Sequence, residues 1–504
     1  MRNNKLILIS CLVMLTGQAS GQTEPIQFVP FNTFLASIQT VSADTSLPKA
    51  ASAVNHAVAS KEMRQHILAM YQGITVAHSY ILDAQHIDCV PIEQQPTVNQ
   101  LGITSIATPP PNTDNVTANP IAAVQYDNFG NAMQCEEATI PLRRITLEDM
   151  QGFGTLRQFL SKNGAIAART TGVAPPATAT TPHNYEVFFQ TVNNLGGASL
   201  LDIWSPPVNN GLGEQMSLSQ QWYVGGSGAN TQTAEVGWQV MPSFYHTEKP
   251  TLFIYWTADQ YTNTGCYNLT CPAFVQVSNA VTLGSSLAPV SLPGGATYNV
   301  ALGFQLFNGN WWLKVQGTWV GYYPASLYNG GQMANFATLI EFGGEVYGTP
   351  YYPAMGSGQP ASAGFGQAAA QHNITYISQS NTATTATLKY DTSSNFLGNV
   401  YSSSGPFNST TWGTYFYFGG QGTGGALVAC LLDWGELSYS SVLSPQSNGV
   451  SLQFSSPYTY RYYPNTQWAV GVSAADNHLY YDLPGGAGID LGSVSTWTSL
   501  AGCY

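Results

Sequence analysis

Residues 184–390 consist of short apolar runs separated by glycine, asparagine and proline. Such runs predict β-strands, and no amphipathic helical stretch of useful length interrupts them. Several short strands without intervening helices favour an antiparallel β-sandwich or barrel over a βαβ fold. The clearest predicted strands cover residues 185–191, 218–224, 251–256, 299–307 and 311–316.

The pattern changes on both sides of this region. Residues 48–72 have the spacing of a helix that stops at Gly73, and a mixed pattern follows, so residues 22–172 are predicted to form a mixed α/β N-terminal region. Residues 173–183 lack periodicity and bulky apolar side chains, which is typical of a linker. Residues 391–504 continue the β pattern and are interpreted as a separate C-terminal β-rich module.

The first 21 residues have the features of an export signal. Arg2 and Lys5 precede an apolar run at 6–15, which is too short to span a bilayer, and small residues follow around Ala19. We therefore expect a secreted protein, extracellular or periplasmic, with no membrane association after signal removal. A lipid anchor through Cys11 is the alternative.

Six cysteines remain after the predicted signal peptide, and an even number in an exported chain favours disulfides. They fall into sequence-local pairs, although the sequence leaves their connectivity open. A metal site at Cys266 and Cys271 would need a second pair or clustered histidines, which the sequence lacks. The six are Cys89, Cys135, Cys266, Cys271, Cys430 and Cys503.

The composition excludes some functions. Charged residues make up only 8% of the chain, and the net charge is −12. A generic nucleic-acid binder needs a basic face, so no nucleic-acid partner is expected. Because acid unfolding acts mostly by protonating paired carboxylates, a chain with few charges is expected to tolerate low pH.

Three glutamates in apolar, glycine-containing segments are candidate catalytic residues. Glu235 lies in TAEVGWQV, and Glu341 and Glu345 lie in TLIEFGGEVYG. Residues 184–390 contain three lysines and no arginine, so these carboxylates are difficult to explain as salt-bridge partners. Partial burial would raise their pKa values. The ordinary alternative is that each glutamate points from a strand into solvent.

Strand geometry limits which glutamates can form a pair. Glu341 and Glu345 on one regular strand would lie roughly 13 Å apart, at about 3.3 Å per residue. Carboxylates on neighbouring strands can lie about 5 Å apart, which favours Glu235 with either Glu341 or Glu345. Two such carboxylates share one proton, so that one can activate water while the other polarises a carbonyl group.

Other catalytic signatures are weak. The sequence has neither an H-E-x-x-H helix nor a G-x-S-x-G elbow. The glycine-rich run at 420–425 matches a dinucleotide fingerprint but lacks the βαβ context that such a site needs. No metal or cofactor is therefore expected.

Several ordered blocks resemble the neprosin family of glutamic prolyl endopeptidases. They include QQWYVGG at 220–226, AEVGWQV at 234–240, LFIYWTADQY at 252–261, GCYNLTC at 265–271 and EFGGEVY at 341–347. The resemblance covers most of residues 184–376. A weaker likeness to the family's activation segment lies at 87–96.

This resemblance implies a two-sheet, jelly-roll-like catalytic sandwich and a metal-independent endopeptidase. It implies cleavage after proline at acidic pH, with catalytic glutamates at Glu235 and Glu345 and a disulfide between Cys266 and Cys271. Glu341 is the reserve candidate. The chain departs from the family by continuing past residue 391.

We therefore expect a monomeric, secreted zymogen of a glutamic endopeptidase that acts on proline-containing peptides or proteins. A non-catalytic carbohydrate-binding β-sandwich is the main alternative, since it would also suit an aromatic, asparagine-rich surface. A glycoside hydrolase that uses two of the same carboxylates is the other. Proline-dependent peptide cleavage separates the first reading from both.

Overall fold

The computed structural model describes residues 26–40, 56–111, 124–162, 183–208, 215–348, 352–393, 398 and 400–422, together with six short segments between 446 and 493. The predicted signal peptide, the linker up to residue 182, and Cys430 and Cys503 lie outside the described residues. Within the described ranges, no helix is both long and apolar enough to cross a membrane.

The N-terminal region is mixed α/β, as predicted. The helix found inside the predicted stretch buries Ala59, Met63, Ile67 and Met70, which form one stripe along it. Its three strands pair antiparallel in the order β1-β2-β3. The elements are α1 (Phe31–Thr40), α2 (His56–Met70), β1 (Ser79–Leu82), β2 (Gln85–Pro91), α3 (Pro96–Leu101), β3 (Thr139–Arg143), α4 (Leu147–Gln151) and α5 (Leu156–Leu160).

Fifteen strands and one short helix follow in the next part of the described chain. They are β4 (His183–Asn194), β5 (Gly196–Asp202), β6 (Gln215–Gly225), β7 (Gln232–Val240), α6 (Pro242–Tyr245), β8 (Thr251–Thr257), β9 (Val275–Gln276), β10 (Asn299–Phe307), β11 (Asn310–Val315), β12 (Thr318–Pro324), β13 (Ala337–Gly348), β14 (Ala369–Ile377), β15 (Ala383–Thr385), β16 (Lys389–Tyr390), β17 (Tyr401–Ser409) and β18 (Gly413–Gly420).

These strands form two antiparallel sheets. The six-stranded sheet has the order β16-β4-β13-β6-β7-β8, and the nine-stranded sheet has the order β17-β18-β14-β5-β10-β11-β12-β9, with β15 paired to β14. Contacts between the sheets include the Tyr223 hydroxyl, which donates to the Gly197 carbonyl at 2.6 Å, and the Phe188 and Phe416 rings, whose centroids lie 4.3 Å apart. The predicted mainly β, sandwich-type fold is confirmed.

The sandwich continues past residue 390, where the sequence had placed the start of a separate module. Strands β17 and β18 belong to the nine-stranded sheet, with β18 paired to β14. The reason is visible in β18 itself, because Phe416 and Phe418 alternate into the core and are fully buried. Beyond them, the described segments form two further sheets, β19 (Gln446–Ser447) with β20 (Val450–Ser451), and β21 (Tyr458–Tyr462), β22 (Ala469–Ser473), β23 (His478–Asp482) and β24 (Ile489–Ser493) in sequence order.

Two disulfides are present among the described cysteines, and both are local in sequence. Cys89–Cys135 ties β2 to the segment before β3, and Cys266–Cys271 closes a short loop after β8. The first disulfide therefore fixes the segment before β3 to the three-stranded sheet, and the second fixes the loop that follows β8.

The N-terminal region packs directly on the sandwich and shares its core. Phe159 of α5 stacks on Phe244 of α6 with centroids 5.1 Å apart. The Thr97 hydroxyl donates to the Phe274 carbonyl at 2.7 Å, and the Arg143 guanidinium donates to the Phe244 carbonyl at 3.1 Å. These contacts bring the end of α5 to the outer face of the six-stranded sheet.

Candidate active site

The site lies on the outer face of the six-stranded sheet, centred on strand β6. Paired residues on adjacent strands share a face, as do alternate residues along each strand. Three cross-strand rows therefore stand side by side on β7, β6 and β13. They are Glu235, Trp222 and Glu341; Gly237, Gln220 and Gly343; and Gln239, Leu218 and Glu345.

Glu235 and Glu345 occupy opposite corners of this lattice, yet their carboxylates converge. The Lys162 ammonium lies 2.6 Å from Glu235 Oε2 and 3.2 Å from Glu345 Oε2. Both glutamates are almost completely buried. The structure thus brings together the two residues that the family resemblance singled out.

The two glutamates are not on neighbouring strands, as simple cross-strand pairing would require, because β6 lies between them. Their side chains can lean together because the middle row carries glycine on both flanks. A Cβ added at Gly237 would lie 2.6 Å from the Gln220 Cβ, and one at Gly343 would lie 2.8 Å from the Val187 Cα. Side chains at these two positions would not fit.

Two hydroxyl groups fix the other oxygen of Glu235. The Tyr261 hydroxyl donates to Glu235 Oε1 at 2.7 Å, and the Thr233 hydroxyl donates to the same atom at 2.8 Å. Burial, followed by the negative charge of Glu235, raises the pKa of Tyr261 well above its usual value, so this phenol remains a donor. Oε2 is left facing Lys162.

Glu345 is held by a different set of groups. His183 Nδ1 lies 2.7 Å from Glu345 Oε1, and the Gln220 amide nitrogen donates to Oε2 at 3.4 Å. Burial alone would raise the pKa of Glu345, but Lys162 and then His183 outweigh it and lower that pKa to about 2. The sequence had assigned His183 to the linker, whereas it is the first residue of β4.

Lys162 comes from the N-terminal region, directly after α5. Its ammonium lies 5.4 Å from the centre of the Trp222 ring, within the range of a cation–π contact. Burial by itself lowers the pKa of Lys162, but Glu235 and Glu345 outweigh burial and raise it, so the ammonium stays charged.

The basic partner of the two glutamates was not predicted from the sequence, which has only three lysines and no arginine within 184–390. The partner lies outside that segment and reaches the site through tertiary packing. The one signal in the sequence was the scarcity of basic residues, because the whole chain has only 14 lysines and arginines for 26 acidic residues.

Glu341 lies at a third corner of the same face, in one row with Trp222 and Glu235. Burial, then Asp391 and Glu235, raise the pKa of Glu341 to about 7. This reserve candidate is therefore a neutral acid in mildly acidic solution, and the carboxylates that share the ammonium are those of Glu235 and Glu345.

A possible metal cluster elsewhere is already occupied by other bonds. In the described part of the chain, His78, Cys89 and Glu136 have potential ligand atoms within 4.8 Å of one another. The Cys89 sulfur is bonded to Cys135, and His78 Nδ1 lies 2.8 Å from Glu136 Oε1. A disulfide sulfur is not a thiolate ligand, so this group does not fit a metal.

Comparisons with known proteins match the region that holds this site. Residues 213–421 match the family model described as Neprosin. Two solved structures of scytalido-glutamic peptidase, one with a transition state analog inhibitor and one with a peptide based transition state analog, are similar to 47% of this chain and to 98% and 97% of their own. Their TM-scores are 0.27 and 0.25, at 8% and 7% identity.

CG-16, a homodimeric agglutinin from chicken liver, is similar over 32% of this chain and 93% of its own, with a TM-score of 0.18 at 9% identity. TM-scores this low do not establish a shared fold. The architecture therefore rests on the sheets described above, and the likeness to the Neprosin family rests on the match of residues 213–421.

Proposed function

We propose that this protein, whose residues 213–421 match the Neprosin family model, is a secreted glutamic endopeptidase made as a zymogen. It hydrolyses peptide bonds after proline at acidic pH. A water molecule activated by the pair Glu235 and Glu345 is the nucleophile.

The observation that carries this proposal is the position of the Lys162 ammonium. Its nitrogen lies within 3.2 Å of an oxygen of each glutamate, so both carboxylates point at one small polar site. A water molecule at that site would lie against both carboxyl groups. This is the arrangement that general acid–base hydrolysis requires.

The surroundings of the two glutamates support a division of roles. Glu345 has a partner besides Lys162, since His183 Nδ1 lies 2.7 Å from its Oε1 and this contact lowers the pKa of Glu345. Glu345 is therefore the base that takes a proton from water as the water oxygen attacks the scissile carbonyl carbon. Glu235 is the acid that protonates the carbonyl oxygen.

Collapse of the tetrahedral intermediate then breaks the carbon–nitrogen bond. The proton held by Glu345 passes to the leaving amine, and Glu235 recovers the proton that it gave to the carbonyl oxygen. Because one carboxyl must be protonated and the other ionised, activity belongs between the two macroscopic pKa values of the pair.

Lys162 supports a latent form. Its ammonium fills the position that the attacking water would occupy and contacts both carboxylates at once. Withdrawal of the N-terminal region would free this position together with the face of Trp222, which a proline ring could then cover.

The proposal is tested by cleavage of a proline-containing fluorogenic peptide from pH 2 to 8, after acid pre-incubation. The wild type is compared with Glu235→Gln and Glu345→Gln, each shown to be folded. We expect cleavage after proline at acidic pH and a loss of at least about 10³-fold in both variants, since each removes one half of the acid–base pair.

Glu341→Gln is the matched control, because it changes a glutamate on the same face that does not contact the ammonium. It should retain most of the activity. Absence of cleavage at every pH would overturn the peptidase proposal and favour a carbohydrate-binding sandwich. Loss of activity in Glu341→Gln but not in Glu345→Gln would exchange the roles of these two glutamates.

A further inference from the structure

One residue at the centre of the site has an unused hydrogen-bonding group. Gln220 is fully buried in the middle row of the lattice, with glycine beside it on both flanking strands. Its side-chain nitrogen donates to Glu345 Oε2. Its side-chain oxygen is buried, and no described residue donates a hydrogen bond to it.

Such an oxygen is costly to bury. A polar atom without a partner in the protein interior loses its hydration without compensation, unless a ligand or a water molecule satisfies it. The orientation of this amide is fixed by its neighbour, because turning it over would place an oxygen against the Glu345 carboxylate. The unpartnered atom is therefore an acceptor, in the row that separates the two glutamates.

We propose that Gln220 is a third member of the catalytic centre, whose side-chain oxygen accepts a hydrogen bond from the attacking water while its nitrogen holds Glu345. The inference rests on the proposed peptidase function. The water would donate one hydrogen to Glu345 and the other to Gln220, which leaves an oxygen lone pair directed at the scissile carbonyl. Only the proton donated to Glu345 is transferred.

Gln220→Met tests this role, because it keeps the length of the side chain but removes the amide. We expect kcat to fall by about 10²-fold or more with a smaller change in KM, since a water-positioning group acts on the chemical step. Gln239→Met is the matched control. Gln239 is also buried on this face with an unpartnered oxygen, but its nitrogen donates to the Tyr245 hydroxyl instead of to the glutamate pair.

Gln220→Glu provides a second test, whose readout is the pH profile of activity. A purely structural role of Gln220 would leave that profile unchanged. A protonated glutamic acid offers the same acceptor and one donor, so activity should be largely restored at low pH. It should disappear as pH rises and the new carboxyl ionises beside Glu345, which would narrow the pH profile on its alkaline side. Because this variant is nearly isosteric, it also decides the matter if Gln220→Met fails to fold.

The outcomes separate this inference from the proposed function. If the wild type cleaves the peptide and Gln220→Met retains its kcat, the role of Gln220 is wrong and the peptidase stands. The same conclusion follows if Gln220→Glu has the wild-type pH profile. If the wild type itself is inactive, the peptidase proposal has failed first.

Discussion

Lys162 holds together two carboxylates that would otherwise repel each other in a buried site. Two like charges this close are not both ionised without a compensating cation, and desolvation adds to the cost. The side chains of Glu235, Glu345 and Lys162 are each no more than 4% exposed, so solvent screens their interaction little. The state of this one lysine therefore sets the charge of the whole site.

Lys162→Met should make activation of the full-length protein easier. We expect the variant to cleave the proline peptide after a shorter acid pre-incubation than the wild type needs, because the N-terminal region loses the ammonium that ties it to both carboxylates. Its free energy of unfolding should fall by about 3–5 kcal/mol at pH 7, since the carboxylates lose their partner, and by less at pH 4. Fluorogenic cleavage and thermal unfolding at both pH values measure these changes.

Lys249→Met is the control for this substitution, because that lysine is exposed and pairs with Asp83 at the surface. It should not change the need for acid pre-incubation. Its free energy of unfolding should change by no more than about 1 kcal/mol. If Lys162→Met requires the same acid pre-incubation as the wild type, the lysine does not maintain latency.

At the scale of elements, α5 and the loop after β8 form one connected unit at the site. The Arg157 guanidinium of α5 donates to the carbonyls of Tyr261, Asn263 and Thr264 at 2.9–3.0 Å. Tyr261 in turn donates to Glu235. The helix that presents Lys162 is thus fastened to the same loop that positions one of the glutamates.

Arg157→Ala should loosen this attachment. A charged donor that serves three carbonyls contributes about 1.5–3 kcal/mol, so the N-terminal region should leave the site roughly ten times faster or more. The measurement is the time course of activity at pH 4 after transfer from pH 7. Unchanged activation kinetics would show that the Arg157 contacts do not limit the release of α5.

Two further variants test whether the activation rate depends on the planar guanidinium group of Arg157 or only on its positive charge. Arg157→Lys keeps the charge but loses the planar fork, and should activate at an intermediate rate. Lys61→Ala removes an exposed cation from α2 and should behave like the wild type.

At the scale of the whole molecule, we expect the contact between the N-terminal region and the sandwich to depend on pH. The pKa of Glu345 is lowered to about 2 in this structure from an ordinary value of 4.5. The stability that its ionised form contributes is therefore complete above about pH 4.5 and is lost as pH falls toward 2. This contribution is on the order of 3 kcal/mol.

Acid alone should therefore release the segment that carries Lys162 from the site, without any substitution. We expect the amides of residues 156–162 to exchange hydrogen more rapidly at pH 3 than at pH 6, after correction for intrinsic rates, while the core strands β6 and β13 stay protected. Equal protection of this segment at both pH values would contradict acid release. In Glu345→Gln the segment should be weakly protected at both pH values, because the titrating group is gone.

Some strands were predicted correctly from the sequence, and the placement of others was not. The β-rich character of residues 184–390 followed from alternating apolar runs, and the observed β10 has the same limits as the predicted strand at 299–307. The placement of β17 and β18 was not predictable, because the local pattern of a strand does not specify which sheet it joins. Cross-strand neighbours depend on long-range pairing that no local periodicity encodes.

The sequence by itself determined the fold class and three glutamates in apolar segments, since these follow from composition, spacing and short-range chemistry, whereas it left the pairing of the cysteines open. Only the tertiary structure decided which two glutamates converge, because their distance depends on the order β7-β6-β13 and on the glycines at 237 and 343. It also decided that Lys162, from a region far away in sequence, lies between them. The partners of this buried ion pair come from separate secondary-structure elements. Their order along the chain does not specify which of those elements pack against each other.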